Sequence, residues 1–197
     1  GQKGVETEEV NLITLFPSPV LLHKPKLSTN LLEWIKQYYE TGEHDSNSSS
    51  CGWHSKYDLH EDQDFLEHFL LLHANIAHAM LDLTDAPFYI ASMWANVNSP
   101  GDFNMSHLHA GVDFSGVLWL QTPENCGTLV FENDKAITRY NWKIPEDVKD
   151  QYNLHDSTWF RPEAGTMLIF PADLRHRVER NMSEEDRISL GFNIKLR

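Results

Sequence analysis

Three separated stretches carry side chains that could do chemistry together. In "MSHLHAGVDFSG", residues 105–116, His107 and His109 stand two apart. On an extended segment positions i and i+2 point to the same side, so both imidazoles could reach one metal ion. A single H-x-H pair is a weak signal, and what strengthens it is His176, in "PEAGTMLIFPADLRHRVERN". There a Pro-Gly turn leads into an apolar strand over 166–170, and the loop after it would bring His176 to a barrel mouth where His107 and His109 could converge. Eleven residues past His176 comes Arg187, followed by Ser189. Ile188, Leu190, Phe192 and Ile194 alternate with Arg187, Ser189, Gly191 and Asn193, placing the second group on one, more polar strand face. A guanidinium pointing into a barrel loses its hydration unless an anion meets it. The planar fork of Arg187 and the Ser189 hydroxyl suit a carboxylate. The competing reading is a surface ion pair between Arg187 and Asp186 or Glu185.

The other eight of the eleven histidines carry no such pattern. His68, His73 and His78 are spaced by five on a helix, hence on different faces, and read as solvated or packing residues. His23, His44, His54, His60 and His155 are isolated in polar context and are assigned no role.

The elements that must position these side chains follow from periodicity. Residues 11–22, "NLITLFPSPVLL", are β-prone, but Pro17 and Pro19 limit them to an edge strand broken midway. "LSTNLLEWIKQYYE" predicts a helix capped by Ser28 or Thr29, with Leu31, Leu32, Ile35 and Tyr39 on one face. "TGEHDSNSSSCGW" is a loop by composition. "EDQDFLEHFLLLHANIAHAMLDL" predicts a second helix with Phe65, Phe69, Leu72, Ile76 and Met80 inward. After Pro87 come short β-rich runs, "FYIASMWANVN", "SGVLWLQ", "GTLVFE", "TMLIF", "RHRVER" and "RISLGFNIKL", parted by Pro and Gly turns. Helices first and strands second predict a mainly β protein, a jelly roll with a helical layer packed on one face. We expect one domain over 1–197: an edge strand and support helices over 1–86, and the jelly-roll core over 87–197. The stretch 132–157 is longer than a hairpin loop and is expected to be an insertion that, with the Ser-rich loop at 45–52, rims a pocket.

Composition narrows the partners. Sixteen basic against 29 acidic residues give a formal charge of −13, which argues against nucleic acid or an anionic membrane as main partner. Two cysteines, Cys51 and Cys126, make neither a disulfide framework nor a paired zinc site, and suggest a reducing, intracellular setting. No apolar run approaches a membrane span, and "GQKGVETEEV" lacks the pattern of a signal peptide. A cytoplasmic protein is expected.

Taken together, this pattern resembles the 2-oxoglutarate and Fe(II)-dependent oxygenases with a double-stranded β-helix core. Those enzymes carry a histidine-x-acid pair, a distal histidine, and a later basic residue that binds the far carboxylate of 2-oxoglutarate. "LFPSPV", "WANVNSPGDFNMSHLH", "SGVLWL", "GTLVFE", "GTMLIFPADLRHRVERN" and "DRISLGFNI" are similar to a subgroup of such oxygenases from marine bacteria and phage, in which H-x-H followed by Ser-Gly recurs. The similarity is strongest over 94–193, and it implies a cytoplasmic setting in a bacterial or phage-infected host cell. "NVNSPGDFNMSH" also resembles the segment before the first ligand in the nucleic-acid repair and prolyl hydroxylase branches, where the ligand stands six residues after a Pro-Gly turn. Gly101 plus six is His107.

The resemblance implies His107 and His176 as iron ligands and Arg187 with Ser189 as the cradle of the C5 carboxylate. It also implies Asn96, Asn98 or Asn193 as further cosubstrate contacts. The acid position of the family is occupied here by His109. Three options remain open: His109 completes a three-histidine set, Asp113 swings in from the following turn, or water or halide fills the place. The implied reaction consumes 2-oxoglutarate and dioxygen, releases succinate and CO2, and hydroxylates an amino acid, a peptide or protein side chain, or a small metabolite. Two rivals stand beside it: a cupin-like three-histidine dioxygenase or isomerase without 2-oxoglutarate, and a non-catalytic β-sandwich binding module. A homodimer is compatible with either enzymatic reading.

Overall fold

Proline decides where the first sheet begins. In the computed structural model, which describes residue 4 and residues 8–42, 52–135 and 142–197, pairing starts only beyond Pro17 and Pro19. Strand β1 is therefore Leu21–His23, shorter than the 11–22 edge strand expected. The other strands are β2 (Trp53–His54), β3 (Phe88–Asn98), β4 (Asn104–His107), β5 (Phe114–Gln121), β6 (Leu129–Glu132), β7 (Ser157–Phe160), β8 (Met167–Pro171), β9 (His176–Val178) and β10 (Arg187–Leu196). The helices are α1 (Leu31–Thr41), α2 (Leu66–Met80) and α3 (Glu146–Tyr152). No described helix is long and apolar enough to cross a membrane.

The strands form two antiparallel sheets, ordered β1-β8-β5-β10-β3-β2 and β4-β9-β6-β7. From β3 onward the chain passes back and forth between them, with only β6 and β7 consecutive in one sheet, the winding of a jelly roll. In the larger sheet, successive residues face opposite layers. Ile188, Leu190, Phe192 and Ile194 of β10 join Met93, Ala95 and Val97 of β3 and Leu118 of β5 in a core shared with Leu31 and Ile35 of α1 and Leu72, Ile76 and Met80 of α2. The helical layer thus covers the outer face. The opposite face looks toward the smaller sheet, and there Trp119, Leu168 and Phe170 pack with Leu129 and Phe131 of β6. Only part of this inner space is apolar. Along β3 and β10 it is lined by Asn96 and Asn98, paired in register with Ser189 and Arg187.

Two local expectations are corrected. Helix α1 is not capped by Ser28 or Thr29: Asn30 occupies the cap position in the left-handed region (φ 67°) without a side-chain cap bond, and the Ser28 hydroxyl instead meets His68 Nδ1. The 132–157 stretch carries structure of its own, α3 and the start of β7, so it is not merely a loop. Its 136–141 portion, and most of the 45–52 loop, lie outside the described residues.

The histidines of α2 act as packing residues: His68 lies beside Trp34 and Phe65, and His73 stacks on Phe88.

Candidate metal centre

Strand pairing brings the first two histidines together. Strands β4 and β9 run antiparallel with His107 and His176 as direct partners, after a register irregularity between Asn104 and His107. Direct antiparallel partners hold their side chains close on one face, and the two ring centroids are 4.3 Å apart. Beyond β4 the chain crosses to the larger sheet, and the His109 amide donates to the Ala172 carbonyl just past β8 (2.9 Å). This anchor suspends His109 between the sheets. Its ring lies 5.0 Å from that of His107 and 5.3 Å from that of His176, parallel to the latter within 2°. One ring nitrogen from each of the three lies within 4.8 Å of the others, and among the described residues this is the one such group of three or more histidine, cysteine or carboxylate side chains.

Hydrogen bonding settles which nitrogens are offered. His107 Nδ1 lies 2.7 Å from the Met105 carbonyl and His176 Nδ1 lies 2.9 Å from the Leu174 carbonyl. A carbonyl can only accept, so both Nδ1 atoms carry the proton and both Nε2 lone pairs are left for an ion. Burial, reinforced by the charge of His107, pushes His109 down to about 4. His176 is likewise pushed down to about 4 by burial, which outweighs its bond to Leu174. Both are therefore neutral near pH 7 and need release no proton to bind a cation. Phe131, directly opposite His176 in the β6–β9 register, and Phe170, at 4.9 Å and 70°, cover the buried His176, whereas His107 and His109 are partly exposed.

Asp113 is engaged elsewhere. Its carboxylate accepts the Leu196 amide at 2.7 Å, and its main chain bonds both Ile194 and Ala172. It stands outside the three-histidine group, and its role is to tie the end of β10 to the turn before β5.

Arg187 lies on the inner face at the opposite end of β10, about 13 Å of strand below Gly191 at roughly 3.3 Å per residue. The surface ion pair with Asp186 or Glu185 is not formed: Arg187 is only 2% exposed. Its Nη1 donates to the carbonyls of Cys126 and Glu179. Its Nη2 is buried with no hydrogen-bond partner. Burial lowers its proton affinity below the usual arginine value, only partly offset by Cys126 and Asp102. A buried donor of this kind signals a missing acceptor. Ser189, two residues along the same face, receives Asn96 Nδ2 at 3.4 Å. Asn98 pairs in register with Arg187, and its carbonyl accepts from the buried Asn181. Asn193 is tied up differently: its Oδ1 accepts the Ser115 hydroxyl and its Nδ2 donates to Ser92. Below Arg187 a cavity of about 560 Å³ opens at the base of the barrel, lined in part by Cys126, Gly127 and Glu179.

Sequence reasoning missed Trp94, whose ring stacks with His109 at 6.1 Å and 23°. The signal was available, because Trp94, Asn96 and Asn98 alternate on one face of β3.

No curated protein matches the chain, whereas many solved structures do. A 2OG-Fe(II) oxygenase family oxidoreductase from Burkholderia pseudomallei superimposes with a TM-score of 0.62 at 16% identity, covering 89% of this chain and 84% of that one. The non-heme α-ketoglutarate-dependent epimerase SnoN from nogalamycin biosynthesis gives 0.68 at 14% identity, covering 90% and 76%. HygX from Streptomyces hygroscopicus, solved with nickel and 2-oxoglutarate, gives 0.63 at 10% identity, covering 91% and 83%. These likenesses establish the fold, and the family rests on sequence. The profile described as "Putative 2OG-Fe(II) oxygenase" matches residues 92–193, more than half of the 197 residues, and the chain belongs to the 2OG-Fe(II) oxygenase family.

Proposed function

We propose that His107, His109 and His176 hold Fe(II), that Arg187 and Ser189 bind the C5 carboxylate of 2-oxoglutarate, and that the protein hydroxylates a small-molecule or peptide substrate. The observation that carries this reading is the pairing, on one inner surface, of three convergent imidazoles with a buried guanidinium whose Nη2 has no acceptor. The residues fit the group the family implies. Three nitrogens suit a divalent first-row ion and leave positions open for cosubstrates. A dicarboxylate that reaches from the histidines toward Arg187 would supply the acceptor that Nη2 lacks.

When bound, iron with 2-oxoglutarate and dioxygen supplies the oxidation: cosubstrate, dioxygen and a substrate C–H become succinate, CO2 and an alcohol. The chain's own residues orient and exclude. The Met105 and Leu174 carbonyls fix two imidazole rings, Arg187 and Ser189 set the direction of the cosubstrate, and Phe131 and Phe170 keep bulk water from His176. No side chain has to act as a general base. SnoN, an epimerase of the same fold, shows why the product must be identified directly, since a fold does not choose an outcome.

The test uses the purified chain loaded with Fe(II) under argon, titrated with 2-oxoglutarate and then exposed to air, with succinate and dioxygen uptake measured together. Bound 2-oxoglutarate and succinate formed in step with dioxygen uptake are expected. Iron uptake with neither binding nor decarboxylation of 2-oxoglutarate would overturn the proposal in favour of a cupin-like centre. For a candidate substrate, a product heavier by one oxygen supports hydroxylation and an isomer of unchanged mass refutes it.

A further inference from the structure

We infer that Trp94, seated on Gly191, is the positioning residue for His109, holding by stacking the member of the three-histidine group whose ring makes no hydrogen bond among the described residues. The inference rests on His107, His109 and His176 being the ligand set. Two members of that set are held alike, each Nδ1 bonded to the carbonyl two residues earlier, Met105 for His107 and Leu174 for His176. His109 has no such bond from either ring nitrogen among the described residues. Its orientation comes from two flat neighbours: the His176 ring, parallel within 2°, and the Trp94 indole at 6.1 Å and 23°.

The chain is built to put the indole there. Trp94 and Gly191 are direct partners across β3 and β10. A Cβ at position 191 would lie 2.5 Å from Cε2 and Cζ2 of the indole and 2.8 Å from its Nε1. Real Cβ atoms do not approach so closely, so glycine is what lets the ring lie against β10. On another side Tyr57 meets the indole edge-on, with centroids 5.3 Å apart at 70°. The Tyr57 main chain is tied to the same strand, its carbonyl accepting the amide of Met93, the residue before Trp94. Tyr57, Trp94, His109 and His176 thus form a continuous run of rings, and the imidazole without a hydrogen bond lies between two that are secured.

Partners that orient a metal-binding histidine typically change metal affinity 10–100-fold when removed. The probe is Co(II) alone, added to the metal-free full chain and followed by its visible absorption and by equilibrium dialysis. Trp94→Ala is expected to weaken Co(II) binding about tenfold and to alter the cobalt spectrum, while Trp94→Phe restores most of both. Gly191→Ala, which must displace the indole, should reproduce the loss with Trp94 still present. In a His109→Ala background, where His107 and His176 leave only weaker Co(II) binding to be measured, Trp94→Ala should have no further effect on that residual affinity, a non-additivity that general damage to the barrel would not produce. Unchanged affinity and spectrum in Trp94→Ala and Gly191→Ala overturn the positioning role alone, as does an equal loss in the His109→Ala background. Failure of the wild-type chain to bind Co(II) overturns the three-histidine reading and the inference with it.

Discussion

Replacing Arg187 by methionine separates a structural from a cosubstrate-binding arginine, because the two roles predict opposite effects. Methionine keeps much of the volume in a site only 2% exposed and removes the charge. Without ligands, the substitution loses the bonds to the Cys126 and Glu179 carbonyls, together about 2 kcal/mol. It also removes a buried, incompletely paired guanidinium, whose desolvation penalty is on the order of several kcal/mol. The ligand-free variant should therefore unfold in urea at the wild-type midpoint or above it. With 2-oxoglutarate the balance reverses. Loss of a two-pronged, charge-assisted contact costs about 3 kcal/mol, roughly a hundredfold in Kd at 1.4 kcal/mol per decade. Calorimetric titration of the Fe(II)-loaded protein under argon measures it, and iron binding itself should be retained. An affinity within threefold of wild type would refute the carboxylate assignment. A large fall in ligand-free stability would show that Arg187 is there to cross-link the base of the barrel.

His107→Ala or His176→Ala should each abolish stoichiometric Co(II) uptake in equilibrium dialysis. Asp113→Ala should keep the metal and lose about 1 kcal/mol of stability with the Leu196 bond, read from the melting temperature; the reverse pattern, metal kept in His109→Ala and lost in Asp113→Ala, would exchange their roles. Acid should weaken the metal-free fold. His109 and His176 have folded values near 4 against about 6.5 unfolded, so stability is full above about 6.5 and falls as pH drops toward 4, by roughly 1–2 kcal/mol per pH unit. Urea midpoints between pH 7 and 4 should follow that slope, and a His109→Ala/His176→Ala double variant should flatten it. Gly116→Ala would place a Cβ 2.1 Å from the Phe192 ring in the helix-facing core, an overpacking expected to destabilise by about 1–3 kcal/mol in a urea titration.

How far the site was legible in the sequence depends on the range of the interaction that sets each feature. Periodicity of two located β3, β5 and β10, because strands buried on both faces, as these are, carry long apolar or alternating runs. It missed β2, β4 and β7, which owe their existence to partners distant along the chain rather than to their own composition. His107, His109, His176 and Arg187 could be selected because each residue type is out of place unless a ligand or ion meets it. Spacing leaves His109 and Asp113 as alternatives, and what distinguishes them in the structure is that Asp113 stands outside the three-histidine group, its carboxylate engaged by the Leu196 amide 83 positions away. Asn193 shares the polar face with Arg187 as expected, yet its amide is satisfied by Ser92 and Ser115, two partners that only the sheet register brings beside it. The cap of α1 failed for a similar reason, since Ser28 found His68 in the facing helix.

The replacement of an acid by His109 alters what must hold an ion in this centre. A carboxylate attracts a divalent cation over a distance and cancels part of its charge, whereas a neutral imidazole does neither and contributes only a directed lone pair. No described carboxylate substitutes for it: Asp113 faces the Leu196 amide, and Glu132 is occupied by Arg177 and Ser106. The inner surface would then carry the full +2 of the ion and the charge of Arg187, against which 2-oxoglutarate sets two negative charges. Such a site favours the dianion more than one containing a carboxylate does, and it holds the ion less by charge than by the aim of three rings. Ring orientation accordingly matters more here than where Coulomb attraction contributes. On the proposed ligand set, the Met105 and Leu174 carbonyls and the Trp94 ring would act through the three imidazoles, by holding them at the angles on which affinity depends.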